Sequence, residues 1–132
     1  MGCGTILREV LAAADILESE YDVAADVWSV TSFTELARDG AATERWNRLH
    51  PEDAPRVTWV EQSLRNHAGP VIAATDYVRA FAEPIRAWVD RPYTVLGTDG
   101  FGRSDTRAAL RQFFQVDAAS VAKAVWAELQ KN

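Results

Sequence analysis

Pro70-Val71-Ile72-Ala73-Ala74-Thr75 and Tyr93-Thr94-Val95-Leu96 are the two stretches on which the architecture turns. The first is a short apolar run with a Gly69-Pro70 boundary, which predicts a buried strand. The second is a β-favouring run closed by the glycine-rich loop Gly97-Thr98-Asp99-Gly100-Phe101-Gly102-Arg103. Between them, Thr75 or Asp76 is predicted to cap a helix carrying Tyr77, Val78, Phe81, Ile85 and Val89. Pro84 should kink that helix or begin a new first turn, because its ring displaces one backbone hydrogen bond.

Working outward, Ile6, Leu7, Val10, Leu11, Ala14 and Leu17 recur at three- and four-residue steps, with Arg8, Glu9, Asp15 and Glu18 on the other side. This spacing predicts an amphipathic helix over Thr5–Glu20 with Thr5 as its N-cap. Val23–Val30 reads as a third strand. Ser32–Leu49 reads as helix in two pieces, broken at Asp39-Gly40 and stopped by His50-Pro51. Pro55–Asn66 is predicted as a short helix carrying Val57, Val60 and Leu64. Ser104 or Asp105 should open a helix with Leu110, Phe113 and Phe114. Asp117 should cap a last one with Val121, Val125 and Leu129 inward. Strands alternating with helices specify parallel crossovers, hence a three-layer α/β/α domain with a mostly parallel sheet and helices on both faces.

The chain has 132 residues, 48% hydrophobic and 25% charged, including five Trp, three Tyr and five Phe. That suits one domain over residues 1–132 and excludes a disordered tail. No apolar stretch reaches the ~18 residues of a membrane span, so no membrane partner is expected. A net charge of −5 argues against a nucleic-acid binder. Cys3 is the only cysteine, which excludes an internal disulfide and a Cys-rich zinc site and fits a cytoplasmic location. Met1-Gly2-Cys3-Gly4 carries no secretory signal pattern. The first helix follows a Gly-x-Gly turn that a strand normally enters. The domain is therefore expected to lack its leading strand and to be part of a larger protein, its open sheet edge promoting pairing between chains.

Chemistry concentrates in the loop from Gly97 to Asp105, which follows a strand and precedes a helix, where open α/β sheets place ligands. Its glycines permit tight turns, and Arg103 suits a two-pronged contact with phosphate or carboxylate. Yet Gly97-x-x-Gly100-x-Gly102 is neither the dinucleotide pattern nor a P-loop. Thr98, Asp99, Gly100, Phe101, Gly102, Arg103, Ser104 and Asp105 are thus the candidates for an interdomain contact or, alternatively, an anion site. The plainer reading is an ordered loop in which Asp99 and Asp105 satisfy nearby amides. His50 reads as a helix-end residue and His67 as solvated, with no metal-ligand spacing between them. Asp22, Asp26, Glu18 and Glu20 read as solvated helix-end charges. No serine lies in a nucleophile elbow. Trp28, Trp46, Trp59, Trp88 and Trp126 point to core or interface packing. Trp46, near Arg45 and Arg48, comes nearest to a base-stacking platform.

Gly4-Thr5-Ile6-Leu7-Arg8-Glu9-Val10, Asp26-Val27-Trp28-Ser29-Val30-Thr31-Ser32-Phe33-Thr34-Glu35-Leu36, Glu44-Arg45-Trp46-Asn47, Leu49-His50-Pro51 and the run Gly97–Asp105 resemble, in order, one family. It is the C-terminal domain of the homodimeric, thiamine-diphosphate-dependent decarboxylating component of bacterial pyruvate dehydrogenase complexes. The resemblance covers almost the whole chain. It implies a transketolase C-terminal fold in a cytoplasmic enzyme that decarboxylates pyruvate and acetylates the lipoyl group of an acyltransferase partner. It also implies that thiamine diphosphate and Mg2+ are held by preceding domains of paired subunits. The family's cofactor motif begins Gly-Asp-Gly and closes with asparagine. Thr98-Asp99-Gly100 lacks the first glycine and Asn132 is the only later asparagine, so no cofactor, metal or catalytic residue is carried over. The expected partners are the remaining domains of the parent subunit, its dimer mate and, through them, the acyltransferase. The missing lead strand and Pro84 are departures from the pattern.

Overall fold

A computed structural model describes Met1–Lys131; Asn132, which figured in the cofactor-motif reading, lies outside the described residues. A 3-10 turn, Gly4–Ile6, leads into α1 (Leu7–Tyr21), followed by α2 (Phe33–Leu49) and α3 (Trp59–Leu64). Strand β1 (Val71–Ala74) is joined to β2 (Tyr93–Leu96) by two 3-10 segments, Arg79–Phe81 and Glu83–Trp88, and α4 (Arg107–Phe113) and α5 (Ala118–Leu129) complete the chain. The strands pair in parallel, from Val71 opposite Tyr93 to Ala74 opposite Leu96.

Alternation of side chains across the strands builds two cores. Ala73, Tyr93 and Val95 face Phe33 of α2, Val60 and Leu64 of α3, and Ile85. Ala74 faces Ile6, Val10, Ala13 and Leu17 of α1 and Val121 and Ala122 of α5. Helices on both faces of a small parallel sheet make the three-layer α/β arrangement that the alternating pattern predicts.

Local chemistry sets most element ends. The Ser32 hydroxyl accepts from the Glu35 amide at 3.1 Å, and His50 closes α2 ahead of Pro51. Thr58 and Glu61 form a reciprocal capping box at α3, which confines that helix to fewer residues than predicted and leaves Val57 exposed outside it. The Asp117 carboxylate caps α5 as expected. Thr106, rather than Ser104 or Asp105, caps α4, its hydroxyl accepting from the Ala109 amide. Thr5 does not cap α1 either. It lies inside the preceding 3-10 turn, and its hydroxyl donates to Asp76 at 3.3 Å.

Three further expectations are corrected. Val23–Val30 is not a ladder strand, since only Ser29 bridges to the sheet, through Gly2, which also bridges Ala74. Extended backbone becomes a strand only where a partner runs beside it, and Met1–Cys3 accompanies only its end. The stretch predicted as a helix after Thr75 forms 3-10 turns instead, because Val78 is extended and Pro84 occupies the first turn of the second segment. Thr75 accepts the Tyr77 amide there without starting a helix.

The third correction is at Gly40, where α2 runs on without a break. Gly40 is buried under the Trp88 indole, whose ring occupies the place of a Cβ, and Trp88 Nε1 donates to Glu44 at 2.8 Å. Packing therefore outweighs the ~1 kcal/mol that glycine costs inside a helix. Gly40→Ala should recover that propensity yet lose net stability by about 1–2 kcal/mol, because the indole must leave its seat. Urea unfolding followed by tryptophan fluorescence measures it.

Candidate functional site

Parallel strands deliver the chain to one edge of the sheet, so the segments leaving β1 and β2 meet. The Thr98 amide donates to the Tyr77 carbonyl at 2.9 Å, and its hydroxyl donates to the Asp76 carbonyl at 2.6 Å. Gly97 is demanded by this close approach, for a Cβ there would lie 2.8 Å from the Tyr77 carbonyl oxygen and 2.9 Å from the Arg79 nitrogen. Gly100 has φ +93°, a left-handed conformation that glycine adopts without strain. Gly102 meets neither demand.

Asp99 is occupied from two directions: Arg79 donates its backbone amide to Oδ1 at 2.8 Å and its Nε to Oδ2 at 2.6 Å. These bonds, the amide first, hold the Asp99 carboxyl below its ordinary pKa. Asp105 Oδ1 accepts the Thr106 amide at 2.7 Å. Arg103 lays its guanidinium 4.0 Å from the centre of the Phe113 ring, a cation–π contact. Ser104 is exposed.

Beside the loop lies a cleft of about 500 Å3, its walls including Thr5, Asp76, Thr98, Arg103, Arg107 and Arg111. Both signs of charge line it, and Arg111 is already engaged with Glu9 at 2.7 Å. Several apolar side chains near this edge of the sheet are exposed, of which Phe101 lines the cleft. Phe101 is 96% exposed, and Tyr77, Val78 and Phe113 are each more than half exposed. Tyr77 and Val78 leave β1, Phe101 leaves β2, and Phe113 shares a hollow with Arg79, Gly97 and Asp99. All belong to the carboxyl edge of the sheet.

The other sequence candidates lie elsewhere. His67 is half-buried rather than solvated: its Nδ1 pairs with Oδ2 of Asp26, which itself stays exposed, at 2.7 Å, and Arg91 donates to the His67 carbonyl. His50 is half-buried, stacked on Trp46 with its Nδ1 at the Trp46 carbonyl. Arg56 lies 3.7 Å from the centre of the Trp46 ring. The indole nearest to Arg45 and Arg48 is thus engaged within the domain rather than open for stacking. Asp22 ends α1 in a left-handed conformation. Trp28, Trp88 and Trp126 are half-buried and Trp59 is mostly exposed. The Arg79–Asp99 pair and the exposed Tyr77 and Val78 escaped sequence reasoning, since ordinary residues twenty positions apart carry no spacing signal.

A two-faced α/β domain with a parallel sheet, its distinctive loop at the carboxyl edge of the strands, is the class that fold and site define. The chain belongs to the transketolase-like C-terminal domain family, whose profile matches residues 1–117. Three of its relatives bear the same name. It is 62% identical over 117 residues to the pyruvate dehydrogenase E1 component of Cupriavidus necator, covering 89% of this chain and 13% of that protein. It is 59% identical over 118 residues to the E1 component of Pseudomonas aeruginosa, again covering 89% and 13%. With that of Escherichia coli K12 it shares 54% over 133 residues, covering 100% of this chain and 15% of the relative. The chain thus spans a small fraction of the length of these proteins. No helix among the described residues is long and apolar enough to cross a membrane.

Proposed function

We propose that this chain is a noncatalytic scaffold and dimerisation domain of a pyruvate dehydrogenase (acetyl-transferring) E1 component. The parent would decarboxylate pyruvate and acetylate lipoyl groups of its acyltransferase partner in the cytoplasm. One observation carries this reading beyond the likeness itself. At the carboxyl edge of the sheet the polar groups Thr98, Asp99 and Asp105 are spent inside the domain, while Phe101, Tyr77, Val78 and Phe113 face outward. An exposed apolar set on a folded domain marks a surface that another protein surface covers.

Thiamine diphosphate and Mg2+ belong on this reading to other segments of the parent. The Thr98-Asp99-Gly100 stretch does not fit a metal-diphosphate site, because both Asp99 oxygens already accept from Arg79. The alternative, an anionic small molecule at Gly97–Asp105, draws less support. Arg103 rests on Phe113, and Asp76 and Asp105 bring negative charge to the same cleft.

Complementation tests the proposal. The chain is co-expressed with the Escherichia coli E1 component from which the matching C-terminal segment has been deleted. The expected result is recovery of a soluble dimer that decarboxylates pyruvate, with Phe101→Asp weakening the association at least about tenfold. Decarboxylation at an enzyme-like rate by the 132-residue chain alone, given thiamine diphosphate and Mg2+, would refute a noncatalytic role. Failure of the truncated enzyme to recruit the chain would refute the scaffold.

A further inference from the structure

The loop after β2 is pinned at both ends and loose between them. On one side, Thr98 donates to the Tyr77 and Asp76 carbonyls and Asp99 accepts twice from Arg79. On the other, Asp105 accepts the Thr106 amide and Thr106 caps α4. Among the described residues, no backbone hydrogen bond engages Gly100–Ser104. Every residue of that span is exposed, and its tether is the Arg103 guanidinium resting on the exposed Phe113 ring. Segments with solvated backbone and few apolar contacts are the ones that move at little cost.

Two glycines flank Phe101. Gly100 stands at φ +93°. At Gly102 a Cβ would meet nothing within 4 Å, so packing supplies no reason for a glycine there. Rotation of the chain supplies one, because a residue without a Cβ turns through conformations closed to the others. The ring between these hinges is 96% exposed and stands on the wall of the cleft of about 500 Å3. Leu110 and Phe114 belong to the walls of the same cleft and are half-buried, so each keeps apolar surface in water. Contact between ring and wall removes both surfaces from solvent.

We propose that Gly100–Ser104 is a lid. Turning about Gly100 and Gly102, it lays the Phe101 ring on Leu110 and Phe114 and closes the cleft whenever no other surface covers this edge of the sheet. The Asp99–Arg79 pair stays in place, since the first hinge lies beyond it. The charged wall residues Asp76, Arg103, Asp105 and Arg107 are all exposed, so a ring seated on Leu110 and Phe114 leaves them in water. The lid works within one chain and stands without the parent-subunit reading. That reading concerns what covers the edge, whereas the lid concerns what the loop does when nothing covers it.

Proton NMR of the whole chain, without any partner, tests the lid. The expected result is nuclear Overhauser contacts between the Phe101 ring and the Leu110 methyl groups, unchanged in strength when the sample is diluted. Gly102→Val, whose branched side chain stiffens the backbone while standing in open space, should weaken these contacts at least about fivefold and leave the remaining spectrum as it was. Should that variant fold poorly, Gly102→Ala gives the same comparison with a smaller loss. Absence of the contacts in the unaltered chain would overturn the proposal. Contacts that persist at full strength in both variants would overturn the hinge at Gly102. Contacts that fade on dilution would place Phe101 on a second copy and overturn closure within one chain. None of these outcomes depends on complementation of a truncated enzyme, so the two readings fail separately.

Discussion

Replacing Phe33 by alanine should cost about 3–5 kcal/mol of unfolding free energy, the range for deleting a buried aromatic ring. Phe33 is wholly buried, the first residue of α2, and meets Phe81 edge-on with ring centres 5.8 Å apart. It lies in the core shared by α2, α3, the 3-10 connection and one face of the sheet. Truncation would leave a void that only several elements moving together could close. The loss should appear as a lower urea midpoint with an unchanged slope, because the surface exposed on unfolding scarcely changes. Phe33→Leu, which keeps more of the apolar volume, should lose less than half as much.

Glu9→Ala is expected to cost about 2–3 kcal/mol, despite removing a charged side chain. Glu9 is one-fifth exposed on α1, and its two oxygens serve partners distant in sequence: Arg111 of α4 at 2.7 Å and the Ala118 amide opening α5 at 3.0 Å. Its removal strands a half-buried guanidinium and an N-terminal helix amide together, and both lose a partner that water replaces poorly. Glu9→Gln retains the size and one acceptor, so it should lose only part of that stability. A Glu9→Ala, Arg111→Ala double-mutant cycle should return a coupling well above the ~0.5 kcal/mol of an exposed pair. Purely additive losses would show that the pair does not couple.

Much of the fold was readable before any coordinates. Val71–Ala74 and Tyr93–Leu96 are strands because short apolar runs next to Gly or Pro boundaries leave few alternatives, and the Asp117 cap follows from a side-chain acceptor at a helix start. Misreadings cluster where a residue's role depends on a distant neighbour. Gly40 resembles a helix end until Trp88 supplies the reason for a bare Cα. Val23–Val30 has strand composition, but Met1–Cys3 reaches only its end. At the loop, the glycines and the two aspartates were visible, whereas Arg79 as the partner of Asp99 and the exposure of Tyr77 and Val78 were not.

Periodicity, caps and motif order, all local properties of the chain, were enough to define the α/β class, the family and the loop that distinguishes it. Tertiary structure alone decided that Arg79 holds Asp99 and that Arg103 rests on Phe113 while Phe101 stays exposed, and that Gly2 bridges two chain segments remote in sequence. The reason is physical: side-chain spacing encodes which face is apolar, but a hydrogen-bond partner exists only once remote segments are brought side by side.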